Sequence, residues 1–374
     1  MTNIVVVGSG FAGCTAVRTL RRQGFDGVIT VISPKPELFY FPSLIWVANN
    51  KRTESDLRIN LENFFKKHRV TYRAASVTGI EPDSNKVITD QGEMNYDYLI
   101  IGSGGRYIRK LPGIEHAHIA CAGWEPTKSW ADKLSAMDGG KLAFGFAGNP
   151  KEPSAMRGGP VFEFLFGTDT WLRQQGKRDQ FELTFFSPAP RPGARMGEKA
   201  VDRILAEMSA RGISTHLGKK MKGFEPNKVM TEGGEFETDL ILFIPGMTGP
   251  ALAAESGLEL TEGGFFKADE FCRASNNENI LIAGDAGSFP GPDWKPKQAH
   301  MADLQAETAV KNILNQIAGQ PDRHTFKTEL ICIIDSHTTG TMVYRDPKRE
   351  FRIKGKPMHW AKSIFEQIYL RTFR

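Results

Sequence analysis

The sequence predicts an α/β fold: two Rossmann-like domains, the first interrupted by the second, followed by a C-terminal amphipathic segment. Three observations carry this. A glycine-rich turn at Gly8-Ser9-Gly10-Phe11-Ala12-Gly13 directly follows an apolar β-branched strand at the N-terminus. Two later strand-to-turn segments, Tyr96–Gly104 and Ile280–Ala286, suit the same sheet but are separated by a region with strands of its own. The chain closes on a stretch of aromatic and basic residues at helical spacing.

The first strand is Ile4-Val5-Val6-Val7, and Gly8, Gly10 and Gly13 then fall at G-x-G-x-x-G spacing before a helical pattern through Val17 and Leu20. Gly8 permits the tight turn, Gly10 lets the backbone approach a pyrophosphate, and Gly13 lets helix and strand pack closely. The helix N-terminus adds free N–H groups and a positive dipole end, so the segment reads as a dinucleotide site. Val28–Ile32 reads as the second strand. It runs into Ser33-Pro34-Lys35 where an acidic residue would ordinarily hold the ribose hydroxyls, so a serine hydroxyl on the ribose and Lys35 on a phosphate are the expectations here. Phe39-Tyr40-Phe41-Pro42 is either an ordinary apolar loop or a wall against a flat ring.

Asp56–His68 reads as one helix, Val70–Tyr72 as a short strand and 76–94 as a β-meander. The strand Tyr96–Ile101 ends in Gly102-Ser103-Gly104, similar to the segment of flavin disulfide reductases that usually ends Ala-Thr-Gly. In Ile280–Ala286 a strand delivers Asp285 at its C-terminal end, where ligands of open α/β sheets sit. In that class the aspartate binds the ribityl chain of FAD, and the three markers in order make FAD the expected cofactor. Between them, Lys141–Ala147 is a strand followed by Gly148-Asn149-Pro150-Lys151-Glu152-Pro153, whose two prolines remove N–H donors a pyrophosphate needs. Phe181–Phe186 is a further strand and 197–211 an amphipathic helix. The inserted region therefore reads as a nucleotide fold without its nucleotide loop. The expected organisation is 1–114 and 240–320 for the two parts of the FAD domain, 115–239 for the insert, and 321–374 for a C-terminal quinone and membrane segment.

The composition is that of an ordinary soluble chain: 374 residues, 40% hydrophobic and 24% charged. No apolar run spans a bilayer and no signal peptide precedes the first strand, which sets a cytoplasmic expectation. The net charge of +5 is uneven, because residues 345–374 hold nine Lys/Arg and three Asp/Glu, a net +6. In the final stretch from His359, Trp360, Ile364, Phe365, Ile368, Tyr369 and Phe373 cover one arc, and Lys362, Glu366, Gln367, Arg371 and Arg374 most of the other. Apolar residues on one face with basic ones nearby describe a helix lying on an anionic membrane surface, and no nucleic-acid module is present. The cysteines Cys14, Cys121, Cys272 and Cys332 have no CxxC spacing, so no metal is expected.

Taken together, the segments resemble the sulfide:quinone oxidoreductases and the related flavocytochrome c sulfide dehydrogenase flavoproteins over nearly the whole chain. The resemblance rests on Gly8–Gly13, Tyr96–Gly104, Gly159-Pro160-Val161-Phe162-Glu163, Gly284-Asp285, Pro296–Ala302, and Trp360-Ala361-Lys362 with Phe365-Glu366. It implies sulfide oxidation at cysteine on one side of FAD and quinone reduction on the other, by a peripheral protein on the cytoplasmic side of the membrane. Cys121 and Cys332 match the family's first and third cysteines, whereas the second falls at Arg157. Three alternatives stay open: a Cys121–Cys332 pair, a single working thiolate, or a paralogue that no longer oxidises sulfide. Arg157 is then a source of positive charge for a thiolate or hydrosulfide, Glu163 the active-site acid, and Lys297 the cation near the flavin pyrimidine. The resemblance adds Pro42, Val77, Ser103, Gly104, Gly105, Arg106, Gly284, Asp285, Gln298 and Ala299 as cofactor contacts, and Ile333, Phe365 and Tyr369 as quinone contacts. His300 and His337 are expected to be structural. An NADH:quinone dehydrogenase and a flavin relay to a protein partner are the competing functions, and the sequence allows a homo-oligomer.

Overall fold

The computed structural model describes residues 1–374. Its central sheet has six strands in the order Arg273–Ala274, Asn277–Ile282, Tyr98–Ile101, Asn3–Val7, Val28–Ser33, Thr71–Ala74, all parallel except the first. The three central strands are buried on both faces, which explains their unbroken β-branched and leucine runs. The helices Phe11–Arg22 and Ala299–Ile317 pack against one another on this sheet. The C-terminal ends of Asn3–Val7, Tyr98–Ile101 and Asn277–Ile282 therefore open side by side, each into a glycine turn.

A second sheet is parallel throughout, in the order Ser214–Leu217, Phe181–Ser187, Gly140–Phe146, Leu240–Ile244. Leu240–Ile244 pairs with Gly140–Phe146, so the inserted region runs past the boundary expected at 239. The chain re-enters the first unit where Met247–Thr248 pairs antiparallel with Arg106–Tyr107. Each parallel sheet carries its own three-stranded meander, Val77–Glu81/Lys86–Thr89/Gly92–Asn95 and Met221–Glu225/Lys228–Thr231/Gly234–Glu237. The two are built alike. Thr89 and Thr231 each donate a hydroxyl hydrogen bond to the carbonyl three residues on, Gly92 and Gly234. The repeat is visible in the sequence as Gly79-Ile80-Glu81-Pro82 and Gly223-Phe224-Glu225-Pro226.

The stretch 56–68 is not one helix. Short helices Glu54–Leu57 and Glu62–Lys67 flank the strand Arg58–Asn60, which pairs with Glu37–Phe39. The break follows from Arg58, whose guanidinium pairs with both Glu54 and Glu37 and pins the chain to the neighbouring strand.

Residues beyond the second helix of the first unit form an antiparallel sheet, Leu330–Asp335, Gly340–Arg345 and Glu350–Gly355, and then the helix Lys356–Arg371. This last helix begins at Lys356, before the expected His359, and it divides the apolar arc read from the sequence. Lys362 and Glu366 face inward, to Glu163 and Arg52, and His359 Nδ1 lies 2.6 Å from Asp335 Oδ2. Tyr369 and Phe373 also turn inward, onto Phe11, Tyr40 and Phe64. Trp360, Ile364, Phe365 and Ile368 face out, at 60%, 55%, 57% and 61% exposure. No helix of the protein is long and apolar enough to cross a membrane.

Candidate functional site

The first loop is built by close backbone approach. Gly8 has φ +103°, and a Cβ on it would lie 2.6 Å from the Gly102 carbonyl oxygen, while a Cβ on Gly13 would lie 1.9 Å from that of Gly8. Gly10 differs, since a Cβ there meets nothing within 4 Å. The loop thus packs at two glycines and leaves open space at the third, above the N-terminus of Phe11–Arg22. That helix start has no capping side chain and no acid in its first turn. Ser9 and Ser33 shape the neighbouring turn: Ser9 Oγ donates to the Glu37 carbonyl at 2.8 Å and Ser33 Oγ to that of Lys35 at 2.8 Å. The Ser33 hydroxyl proton expected on a ribose is therefore engaged by the loop itself. Pro34 and Lys35 are exposed at the rim.

The other expected cofactor residues converge on the same mouth. Ser103 Oγ is buried with no partner in the protein, a donor left for a ligand. Gly104 has φ +74° with open space before it, and a Cβ on Gly105 would lie 3.2 Å from the Asp285 carbonyl oxygen. Gly284, at φ +73°, sits against Ala12 and Ala302. Lys297 Nζ donates to the Asp285 carbonyl at 3.4 Å and to that of Gly287, and lies 4.0 Å over the Phe265 ring. Burial pulls its pKa down to about 8. Gln298 precedes the helix whose first residue is Ala299, and its Oε1 accepts the Ile331 N–H at 3.4 Å. Arg106 Nε donates to the Gly249 carbonyl at 3.0 Å. Pro42, in the turn Phe41–Trp46, and Val77, in the first meander, are both half-buried. The glycine cradle, the uncapped helix and the orphaned Ser103 hydroxyl fit an extended dinucleotide with a pyrophosphate at Gly10.

A second group forms beside this mouth. Cys121 lies in the turn Ala120–Ala122, its carbonyl accepting the Tyr107 hydroxyl at 3.3 Å. Cys332, on Leu330–Asp335, stands over the start of the helix Gly159–Gln174, where a Cβ on Gly159 would be 3.3 Å from its Sγ. All four cysteines are free thiols. Glu163, on the first turns of that helix, is buried; it pairs with Lys362 Nζ and accepts the Asp335 N–H at 2.9 Å. Lys362 Nζ also reaches the Ile333 carbonyl at 3.4 Å. Glu163 and Lys362 both lie near enough to Cys121 and Cys332 to act on their ionisation.

Burial dominates the ionisation here. It raises Glu163 to about 7 against the pull of Lys362, and raises Cys121 and Cys332 to about 12 each. Arg157 lies on the loop before Gly159–Gln174. It acts to lower Cys121, as expected, but its guanidinium is committed to an ion pair with Asp285 and burial outweighs it. Arg157–Asp285 thus joins the thiol pocket to the cofactor mouth. Of the expected quinone contacts, Ile333 is half-buried beside Lys362, and Phe365 is exposed and stacks at 6.0 Å on Tyr369. Tyr369 turns in, with its hydroxyl 3.2 Å from Asp303. His337 is a buried structural histidine between Asn49 and the Ile45 carbonyl.

Residues 2–306 match the family of pyridine nucleotide-disulphide oxidoreductases, so the chain belongs to that family. It is an FAD-dependent oxidoreductase, and the cradle above is where its cofactor fits. The resemblance read from the sequence stands. The chain is 25% identical to the sulfide-quinone reductase of Aquifex aeolicus over all of its own length and 91% of the relative. The solved sulfide:quinone oxidoreductase of that organism superposes with a TM-score of 0.92, at 25% identity, over 100% of this chain and 92% of that one. It is also 26% identical to a type II NADH:quinone oxidoreductase of Staphylococcus aureus, over 97% of this chain and 94% of the relative.

Two outcomes follow for this site. Gly10→Val should fold, yet purify with at least about tenfold less flavin at limiting FAD, a loss of ~1.4 kcal/mol or more, measured as flavin absorbance per chain; Gly13→Ala should fail to fold. Glu163 has a folded pKa of about 7 against an ordinary 4.5. The folded state then holds a proton that the unfolded chain has lost between these values, so this group makes stability fall as pH rises from about 4.5 to about 7 and adds no slope above. Glu163→Gln should flatten that slope by up to about 3 kcal/mol across the window, read from denaturant midpoints at each pH.

Proposed function

We propose that this enzyme oxidises sulfide or a related sulfur anion in the Cys121–Cys332 pocket and passes the electrons through its FAD to a quinone at a membrane surface. One observation carries the reading: the free thiol of Cys332 stands over the start of the helix that bears the buried Glu163–Lys362 pair, and Arg157, on the loop before that helix, pairs with Asp285 of the cofactor cradle. Bound FAD supplies two-electron acceptance from sulfur and delivery to quinone. The protein's side chains do the rest. Hydrosulfide, an anion, enters between the cations Arg157 and Lys362. Its sulfur bonds to that of Cys332, giving a persulfide, one proton and two electrons. Glu163, near 7, suits acceptance of the proton. Lys297 stabilises negative charge on the reduced cofactor.

The outward stripe Trp360, Ile364, Phe365 and Ile368 supports attachment to a membrane, with Ile333, Phe365 and Tyr369 at the quinone entrance. Against NADH as donor, the loop after Gly140–Phe146 is tied to the strand by which the chain re-enters the first unit. Asn149 is buried and donates to the Met247 carbonyl at 2.9 Å, and Cys332 stands at the helix start where a pyrophosphate would bind.

Anaerobic sulfide should bleach the flavin of the purified enzyme, and NADH should not. Cys332→Ala should slow bleaching at least a hundredfold, ~2.7 kcal/mol in the barrier. Bleaching by NADH alone would replace this reading with the dehydrogenase one, and bleaching by neither with a relay to a protein partner. Ile364→Glu with Ile368→Glu should release the protein from lipid vesicles in a flotation assay while leaving sulfide bleaching intact.

A further inference from the structure

A cleft outside the redox site lies between the C-terminal sheet and the start of the helix Glu198–Ala210. It is lined by Gly197, Glu198, Lys199, Arg345, Glu350 and Arg352. The sheet register decides which side chains reach it. Cys332, Val343 and Arg352 are partners across the three strands, and so are Ile331, Tyr344 and Phe351, and Ile333, Met342 and Ile353. Alternation puts Arg352 on the face turned to the body, with Arg345 and Glu350, and puts Phe351 and Ile353 on the other. Phe351 and Ile353 are 45% and 46% exposed, and Ile331 is 37% exposed. Glu350–Gly355 is an edge strand, so a molecule can pass round its free side from one face to the other.

The charges in the cleft are unequally satisfied. Glu198 is held by Arg191 at 2.6 Å. The Glu350 carboxylate lies against Gly197, 4.0 Å from Arg345 Nε. Arg345 Nη1 donates to the Arg195 carbonyl at 2.9 Å, and its guanidinium lies 4.8 Å over the Trp294 ring. Arg352 Nη1 is buried with no acceptor, and Lys199 is exposed beside it. A buried guanidinium N–H without an acceptor is costly, and phosphate oxygens are well matched to it.

We infer that this cleft binds the phosphate of an anionic phospholipid through Arg352 and Lys199, while the lipid's acyl chains lie on Phe351 and Ile353 round the strand edge. The inference rests on the membrane reading above and adds a specific headgroup site to it. The apolar face fixes the depth of the sheet in the bilayer, and the two basic residues then stand at headgroup level.

The test uses the FAD-loaded full chain in flotation with three probes: phosphatidylcholine vesicles, the same vesicles with phosphatidylglycerol, and inorganic phosphate as competitor. Phosphatidylglycerol should strengthen binding. Arg352→Gln and Lys199→Gln should each lose about fivefold on the anionic vesicles and nothing on the neutral ones. Thermal denaturation checks that both variants fold. Equal binding of wild type and Arg352→Gln on anionic vesicles overturns the site while the membrane reading stands. Absence of binding to every vesicle overturns both. Displacement from anionic vesicles by millimolar phosphate that depends on Arg352, with no gain from phosphatidylglycerol over neutral lipid, overturns the lipid and assigns the cleft to a soluble anion.

Discussion

The buried Lys362–Glu163 pair is the contact on which the rest of the site depends. Removing two charges from water is expensive, and a single-partner deletion at such a pair costs about 3–5 kcal/mol. The pair is not alone. Lys362, Glu366 and His359 project from one side of Lys356–Arg371 to Glu163, Arg52 and Asp335, on three separate segments. Turning the helix half a revolution would leave all three partners unmatched, so the contacts fix its rotation. They also force Trp360, Ile364, Phe365 and Ile368 outward. In water that orientation is the poor one, since burying such a side chain is worth about 1.5–3 kcal/mol. The arrangement makes physical sense where the outer medium is itself apolar.

The same contacts connect both ends of the proposed reaction. Lys362 touches Glu163 and the carbonyl of Ile333, and one turn on Phe365 stacks on Tyr369, which packs against Phe11 of the glycine loop. A displacement of this helix would disturb the proposed thiol pocket, the proposed quinone entrance and the glycine loop together.

The glycine loop, the two strand-to-turn markers and Asp285 were legible because each is a local pattern whose physics acts within a few residues. The thiol pocket was legible only in part. Glu163 and Lys362 are 199 positions apart, and Arg157 and Asp285 are 128 apart. A lysine on an amphipathic helix reads as solvated unless its distant partner is known. Periodicity likewise gives two arcs without saying which faces inward, and here the charged partners on other segments decided it. The boundary at 239 failed because Leu240–Ile244 looks like any buried strand; only its pairing with Gly140–Phe146 assigns it. The Gly79 and Gly223 repeat would have placed it correctly, since in both units the strand after the meander joins the sheet of its own unit.

In the proposed reading Arg157 takes the place of a thiol of the resembling family, and that changes what the pocket can do. A fixed cation cannot carry sulfur, but it can hold an anion. Arg157 is matched by Asp285 and Lys362 by Glu163, so the pocket is balanced before substrate arrives. In the proposed reaction, hydrosulfide brings one negative charge into a place that burial already makes hostile to charge, as the thiols held near 12 attest. The compensating charge is the lysine: the anion competes with Glu163 for Lys362. Glu163, whose pKa of about 7 lies closest to neutral pH in the pocket, stays available to take the proton that persulfide formation releases.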